Sequence, residues 1–129
     1  MPDNPVPAVG EVGWIDLTVP NADAVRDFYE HVAGWTATPF SMGEYSDYCM
    51  TPQGGDKPVA GVCHSKGQNA DLPPVWIIYI MVADLDESIR RCLERGGKLV
   101  SPERTIPDSG RYCIIQDPAG AIAGLFQGK

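Results

Sequence analysis

The stretch that decides the fold is Gly13–Trp35, GWIDLTVPNADAVRDFYEHVAGW. It opens with a strict alternation of apolar and less apolar side chains, which is the period-2 pattern of a β-strand with two unlike faces. One face carries Ile15, Leu17 and Val19, and the other carries Trp14, Asp16 and Thr18. The alternation predicts a strand over Trp14–Val19.

A helix over about residues 22–33 follows the strand. Pro20 ends the strand because proline has no N–H to give to the ladder. Asn21 is a predicted N-cap, and Gly34 supplies the left-handed residue that ends helices. The predicted apolar stripe of this helix consists of Ala22, Val25, Phe28 or Tyr29, and Val32.

The same plan returns about sixty residues later, within Trp76–Gly97. A strand over Val75–Val82 precedes Asp84, which we expect to cap a helix that stops at Gly96-Gly97. The predicted stripe of this second helix is Leu85, Ile89, Cys92 and Leu93. Three further strands are predicted after each helix: 35–40, 45–51 and 58–64, then 98–105, 110–116 and 121–127.

These elements predict an α+β fold in which two βαβββ modules form mixed sheets around a shared cleft. We expect one domain over residues 1–129, with module 1 at about 11–64, a linker at about 65–74 and module 2 at about 75–127. Transfer of the register through the repeat places Ile78, Ile80 and Val82 under the second helix, as Ile15, Leu17 and Val19 lie under the first. The opposite faces, Trp14, Asp16 and Thr18 with Ile77, Tyr79 and Met81, then line the cleft.

Composition excludes several classes of partner. A net charge of −7 repels nucleic acid and anionic membranes. The longest apolar run, near residues 75–82, is too short to span a bilayer. Residues 1–13 lack the pattern of a signal peptide and are predicted to be a Pro-rich flexible lead-in. The four cysteines form no CxxC motif, so we expect reduced thiols in a cytoplasmic protein.

Three segments resemble the vicinal oxygen chelate superfamily, the glyoxalase/bleomycin-resistance/dioxygenase group: FYEHVAGW, VADLDESIRRCLERGGKL and IPDSGRYCIIQDPAGAIAGLFQ. The resemblance implies a divalent metal held by four inward side chains on the first, fourth, fifth and eighth strands. The positions that match these ligands are Trp14, Gly61 or Val62, Ile77 and Gly124. None of these side chains coordinates a metal, so we expect neither metal nor other cofactor.

Asp16 is the candidate with chemistry, because a carboxylate between apolar neighbours on the cleft face is costly unless it is paired or solvated. It is interpreted either as a ligand anchor or general base, or as a structural acceptor for Tyr79, Thr18 or Arg111. Aromatic walls of the cleft suit a flat or apolar ligand. The predicted ligand-binding residues are Trp14, Asp16, Thr18, Ile77, Tyr79, Met81, Gly124 and Phe126.

The remaining candidates receive mostly structural interpretations. His31 is predicted on the surface, and His64 in solvent at the end of its strand, the alternative being an inward ligand. Cys63 and His64 are expected on opposite faces and so not to form a catalytic pair. Cys49 and Cys113 are interpreted as small buried side chains rather than cleft residues.

Two motifs near the C-terminus also receive structural roles. Asp117–Gly120, DPAG, predicts a tight turn. Arg111 is expected to form a surface salt bridge, the alternative being a contact with an anionic ligand or with Asp16.

The leading functional hypothesis is metal-independent binding of a small organic molecule in the cleft by a protein that forms a homodimer. The alternative is a lyase, isomerase or dioxygenase that uses Asp16 as base or holds a divalent metal at a misaligned site. A third hypothesis is a regulatory or scaffold module whose cleft is filled.

Overall fold

The computed structural model describes residues 7–67 and 70–129 of the chain. The chain divides into two compact units. The first unit is residues 14–76, and the second unit combines residues 77–129 with residues 7–13. The first unit contains β1 (Val12–Val19), α1 (Ala22–Val32), β2 (Thr36–Ser41), β3 (Ser46–Thr51) and β4 (Ala60–His64). The second contains β5 (Trp76–Met81), α2 (Leu85–Glu94), β6 (Lys98–Ile106), β7 (Gly110–Gln116) and β8 (Ile122–Gly128). The unit boundaries fall within β1, which belongs to the first unit from Trp14 onward, and within β5, which belongs to the second from Ile77 onward.

The two units share one topology. In the first unit the strand order is β2-β3-β4-β1, with β1 and β4 parallel and the other pairs antiparallel. In the second unit the order is β5-β8-β7-β6, again with one parallel pair, β5 and β8. The α+β prediction of two βαβββ modules with mixed sheets is therefore confirmed.

The registers of the parallel pairs are equivalent as well. Asp16 on β1 pairs with Gly61 on β4, and Tyr79 on β5 pairs with Gly124 on β8. Asp16 and Tyr79 lie 63 positions apart in the sequence, and so do Gly61 and Gly124. The repeat inferred from the sequence thus extends to the pairing of individual residues.

The core of the first unit lies between its sheet and α1. Leu17, Val19, Met50 and Val62 are buried there, and Ile15, Val25 and Tyr29 pack against them from the strand and the helix. Each large side chain that is removed from water in this way contributes about 1.5–3 kcal/mol. The predicted helix-facing set of β1 is confirmed, but Phe28 and Val32 of the α1 stripe are exposed.

An aromatic cluster extends this core at the C-terminal end of α1. The ring of Tyr29 lies 5.6 Å from that of Trp35 and 5.4 Å from that of Trp76. The Trp76 indole N–H donates to the Tyr29 hydroxyl at 3.3 Å. Tyr29 rather than Phe28 is therefore the aromatic side chain that attaches the helix to the sheet.

The helix-side core of the second unit lies between its sheet and α2. Leu85, Cys113 and Leu125 are buried together, with Ile80, Val82 and Ile89 packed around them. Two side chains predicted for this core, Ile78 and Leu93, are exposed instead. Ile78 is exposed near the start of β5, whereas Ile80, two residues later on the same face, packs against the core.

The helix ends match the predictions only in part. The Asp84 carboxylate accepts a hydrogen bond from the Glu87 N–H at 3.2 Å, as predicted for an N-cap. Asn21 occupies the predicted N-cap position of α1, but its side chain makes no capping hydrogen bond, so only the position is confirmed. Gly34 has the predicted positive φ, 71°.

Residues outside the predicted strands also contribute structure. The N–H of Gly10 donates to the carbonyl of Met81, and the N–H of Met81 donates to the carbonyl of Glu11, each at 2.8 Å. This part of the predicted lead-in is therefore attached to β5, while residues 1–6 fall outside the described residues. Positions 68–69 of the predicted linker fall outside them too. Among the described residues, no helix has the length and apolarity needed to cross a membrane.

Candidate functional site

The sheet face opposite α1, called here the helix-free face of the first unit, carries Trp14 and Asp16 over Gly61. A Cβ placed on Gly61 would lie 3.5 Å from Nε1 of the Trp14 indole and 3.2 Å from Cβ of Asp16. Trp14 and Asp16 are half-buried, and Thr18, next along the same face, is buried. The predicted orientation of this trio away from α1 agrees with the structure, because the alternate residues form the core under the helix.

Two cysteines share this face. Cys49 pairs with Gly61 across β3 and β4, and Cys63 pairs with Thr18 across β4 and β1. Burial raises the pKa of the Cys63 thiol, and the carboxylates of Asp16 and Asp47 raise it further.

Burial also raises the pKa of Cys49, again with a contribution from Asp47. Both thiols therefore stay protonated at neutral pH, which disfavours a thiolate nucleophile on this face. Cys49 is only partly buried, unlike the small buried side chain that was predicted, whereas Cys113 is buried in the helix-side core as predicted.

The helix-free face of the second unit is built around Tyr79 and Gly124. A Cβ on Gly124 would lie only 2.2 Å from Cδ2 of the Tyr79 ring, so the ring lies directly on the glycine. Ile77 and Met81 flank Tyr79 on β5 and are buried with it. Phe126, half-buried, pairs with Met81 across β5 and β8.

Two residues that the sequence analysis missed complete this face. Tyr112 pairs with Phe126 across β7 and β8, and its ring lies 5.9 Å from that of Tyr79 in an edge-to-face arrangement. Arg104 pairs with Tyr112 across β6 and β7 and donates to its hydroxyl at 3.1 Å. Alternation within β7 would have found Tyr112, because it directly precedes the buried Cys113 and so lies on the opposite face of the strand. Arg104 lies beyond two register shifts in β6, which no pattern in the sequence indicates.

The residues at the metal-ligand positions of the family do not fit a metal. The register equivalence assigns the fourth-strand position to Gly61, since Val62 is buried in the helix-side core. Gly61 and Gly124 have no side chain, and each is covered by a ring from the neighbouring strand. Within residues 7–67 and 70–129, no group of three or more His, Cys, Asp or Glu side chains is arranged to hold a metal ion.

His64 is not in solvent as predicted, because its side chain is only 12% exposed. Its backbone N–H donates to Oδ1 of Asp47 at 2.8 Å. Its ring nitrogens lie 3.3 Å from Asp47 Oδ1 and 3.4 Å from Asp23 Oδ1. Tyr45 packs edge-on against the imidazole at 5.3 Å. His64 therefore belongs to a polar cluster that connects α1, β3 and β4. Cys63 and His64 are predicted to lie on opposite faces of β4, yet both interact with Asp47.

Asp23 connects this cluster to Tyr48. The Tyr48 hydroxyl donates to Asp23 Oδ1 at 2.6 Å, and this bond lowers the pKa of the Asp23 carboxyl. The Arg26 guanidinium lies 4.6 Å above the Tyr48 ring. A shallow open depression of about 270 Å³ adjoins it, lined by Arg26, Asp27, Glu30, Ala37, Pro39 and Tyr48.

The charged groups around this depression already have protein partners. Arg26 pairs with Asp27, and Glu30 accepts from the N–H of Ala37. The depression is therefore a weaker candidate than the helix-free faces.

The two C-terminal motifs have the structural roles predicted for them. Arg111 pairs with Glu103 and with Asp86, and its Nη2 donates to the Gln127 side chain at 3.0 Å. Asp117 accepts from the N–H groups of Ala119 and Ala121, which fixes the tight turn before β8. His31 is exposed on α1, also as predicted.

The sequence model of the Glyoxalase/Bleomycin resistance protein/Dioxygenase superfamily matches residues 11–123. The chain belongs to this superfamily. The resemblance stated from the sequence is thereby confirmed.

Curated relatives are longer than this chain. The proteins named "Putative glyoxylase CFP32" of Mycobacterium bovis and Mycobacterium tuberculosis are 33% identical over 122 residues, covering 92% of this chain and 46% of theirs. The anthracycline biosynthesis protein DnrV of Streptomyces peucetius is 31% identical over 132 residues, covering 93% of this chain and 48% of its own length. The superfamily member described here thus spans about half the length of these relatives.

Solved structures show the same fold. Methylmalonyl-CoA epimerase from Mycobacterium tuberculosis has 18% identity and a TM-score of 0.56, covering 89% of this chain and 85% of that one. A variant of Streptomyces coelicolor methylmalonyl-CoA epimerase in complex with 2-nitronate-propionyl-CoA has 15% identity and a TM-score of 0.62, covering 94% of this chain and 99% of that one.

Proposed function

We propose that this superfamily member binds a small organic molecule on its helix-free faces without a metal ion. The observation that carries the proposal is the equivalent pair of covered glycines. At Gly124 the Tyr79 ring occupies the space that a metal-binding side chain would need, and at Gly61 a Cβ would already be in contact with Asp16 and the Trp14 ring. Aromatic surface with few polar groups is typical of sites for flat or apolar ligands.

The polar groups on these faces supply orientation. Asp16 offers a carboxylate beside Trp14, and Thr18 follows it on the same strand. The second unit offers an aromatic surface formed by Tyr79, Tyr112 and Phe126. An aromatic ring of a ligand packs against such a surface in an edge-to-face or an offset-stacked arrangement. The names of the relatives support a small-molecule role, since DnrV belongs to anthracycline biosynthesis and the epimerase complex holds a CoA ester.

Binding is tested by thermal-shift screening, followed by calorimetry, in buffer with EDTA. The screen contains hydrophobic antibiotics and small aromatic acids with their neutral analogues. We expect stabilisation by at least one compound, a dissociation constant that EDTA does not change, and loss of affinity in Trp14→Ala or Tyr79→Ala. Absence of stabilisation by every compound would instead favour the scaffold hypothesis.

A second candidate function is an enzyme in which Asp16 acts as a general base. The observation that favours it is the position of the carboxylate, half-buried on the helix-free face of the first unit beside a protonated thiol, Cys63. An Asp16→Asn variant separates the two functions. It would retain binding and lose turnover if Asp16 is the base, and a methylglyoxal–glutathione assay of the wild type provides the first test of activity.

The proposal also includes the oligomeric state of the protein and its cellular compartment. We expect a homodimer, and the exposed apolar side chains of Phe28 and Val32 on α1 offer a surface for it. Light scattering after size exclusion tests this, with Val32→Glu as the disrupting variant. The four cysteines are unpaired in the structure, which supports a reducing compartment such as the cytoplasm.

A further inference from the structure

Arg104 is the one arginine side chain whose guanidinium has buried nitrogens without an acceptor in the described part of the chain. Its Nη1 donates to the Tyr112 hydroxyl at 3.1 Å. Its Nε and Nη2 are buried and have no hydrogen-bond partner. An unpaired buried donor on a charged group is costly, so a protein retains one mainly where something else satisfies it.

Arg104 lacks a carboxylate partner although the chain is rich in carboxylates, with 17 aspartates and glutamates and only 10 lysines and arginines. Four other arginines pair with aspartate or glutamate: Arg26, Arg90, Arg91 and Arg111. An acidic chain could readily have supplied such a partner to Arg104. Instead the guanidinium faces the aromatic ring of Tyr112, with Cζ 5.9 Å from its centroid.

The geometry of the unpaired edge specifies the ligand. Nε–H and one Nη2–H point the same way along one edge of the planar guanidinium, and their spacing matches the two oxygens of a carboxylate. The tyrosine hydroxyl occupies Nη1, on a different edge, so the buried pair Nε–H and Nη2–H has no acceptor among the described residues.

The surroundings specify what the carboxylate is attached to. Arg104 lies on the helix-free face of the second unit, because it pairs with Tyr112, whereas Cys113 belongs to the helix side. The Tyr112 ring contacts the Tyr79 ring edge-to-face, and the Tyr79 ring in turn lies on Gly124. A row of rings therefore leads away from the guanidinium.

We propose that Arg104 binds the carboxylate of a small aromatic acid by a bidentate interaction, with the aromatic part of the ligand packed on Tyr112 and Tyr79. This assignment rests on the proposed function and adds the charge and class of the ligand. It also assigns Arg104 as the residue that selects acids over their neutral analogues.

The experiment compares matched probes by calorimetry in EDTA: benzoate with benzamide, and 2-naphthoate with 2-naphthamide, together with inorganic phosphate. Wild-type protein should prefer each acid to its amide by about 10-fold or more. Arg104→Gln should weaken binding of the acids by about 10–100-fold and leave the amides unchanged. Arg104→Lys should lie between, because lysine keeps the charge and loses the bidentate edge. Arg90→Gln, which removes a paired arginine on α2, is the control and should bind like the wild type.

A measurement on the unmodified protein keeps the proposal testable even if the variants fold poorly. In ¹⁵N-edited NMR spectra, the Arg104 Nε–H signal should shift on titration with 2-naphthoate and not with 2-naphthamide. Equal affinity for acids and amides, with no change in Arg104→Gln, would overturn the anion assignment and leave the proposed function standing. Failure of all four organic probes and of the wider screen would overturn both. Tighter binding of phosphate than of either acid would overturn the choice of a carboxylate.

Discussion

A single methyl group at Gly124 provides a sharp test of how the second unit is packed. In Gly124→Ala the new Cβ would lie 2.2 Å from Cδ2 and 2.4 Å from Cε2 of the Tyr79 ring. Ordinary contacts between carbon atoms are about 3.5–4.0 Å, so the ring must move by more than an ångström. Tyr79 is 8% exposed and contacts Tyr112, so it has little room in which to move.

The cost follows from two opposing terms. Overpacking a core costs about 1–3 kcal/mol, whereas replacing a strand glycine by alanine returns about 0.5–1 kcal/mol of backbone entropy. We therefore expect Gly124→Ala to lower the free energy of unfolding by about 1–2 kcal/mol. Gly128→Ala on the same strand is the matched control, since its Cβ meets nothing within 4 Å. It should be neutral or slightly stabilising.

The assay is urea denaturation followed by circular dichroism, with m-values compared to verify that the transition is unchanged. Gly61→Ala should rank between the other two variants, because its nearest contact is 3.2 Å. In a Tyr79→Ala background the cost of Gly124→Ala should disappear, giving a coupling of about 2 kcal/mol. Gly124→Ala and Gly128→Ala that differ by less than about 0.5 kcal/mol would refute the packing of Tyr79 on Gly124.

Three further predictions concern a cap, a carboxylate and a thiol. Asp84→Ala should lower the free energy of unfolding by about 1 kcal/mol, whereas Asn21→Ala, which loses no capping bond, should change it by less than half as much in the same urea assay. Tyr48→Phe should raise the pKa of Asp23 toward its ordinary value in a carboxyl NMR titration, because the lost hydrogen bond is the main cause of the lowered pKa. That bond stabilises the fold above the ordinary carboxyl pKa, and its contribution should vanish as the pH falls through the lowered value. Cys63 should resist iodoacetamide at pH 8 in folded protein and react after unfolding, as mapped by mass spectrometry; rapid labelling of folded protein would contradict its raised pKa.

The strand and helix order was predictable from the sequence because periodicity and stop signals agree at each element. Val19 followed by Pro20 ends β1, and Asp84 begins α2, each for a local reason that a sequence displays. Side-chain exposure was less predictable, since Phe28 and Tyr29 both fit the α1 stripe and only tertiary packing selects Tyr29. Ordinary helical periodicity cannot distinguish two adjacent aromatic residues.

Some residues of the candidate site were likewise predictable from the sequence, and others were not. The faces of β1 and β5 follow from alternation within one strand, so Trp14 and Tyr79 were assigned from the sequence. Arg104 was not, because its position depends on two irregularities in β6. The contacts of His64 with Asp23 and Asp47 were also missed, since they join residues far apart in the chain.

The most direct test of the account is the metal content of the purified protein after growth in medium supplemented with Zn, Ni, Mn and Fe. Rings over Gly61 and Gly124 predict far less than one ion per chain by mass spectrometry, and a melting temperature that neither EDTA nor added divalent metal changes. One tightly held ion per chain, with a melting temperature that falls when EDTA removes it, would contradict the account.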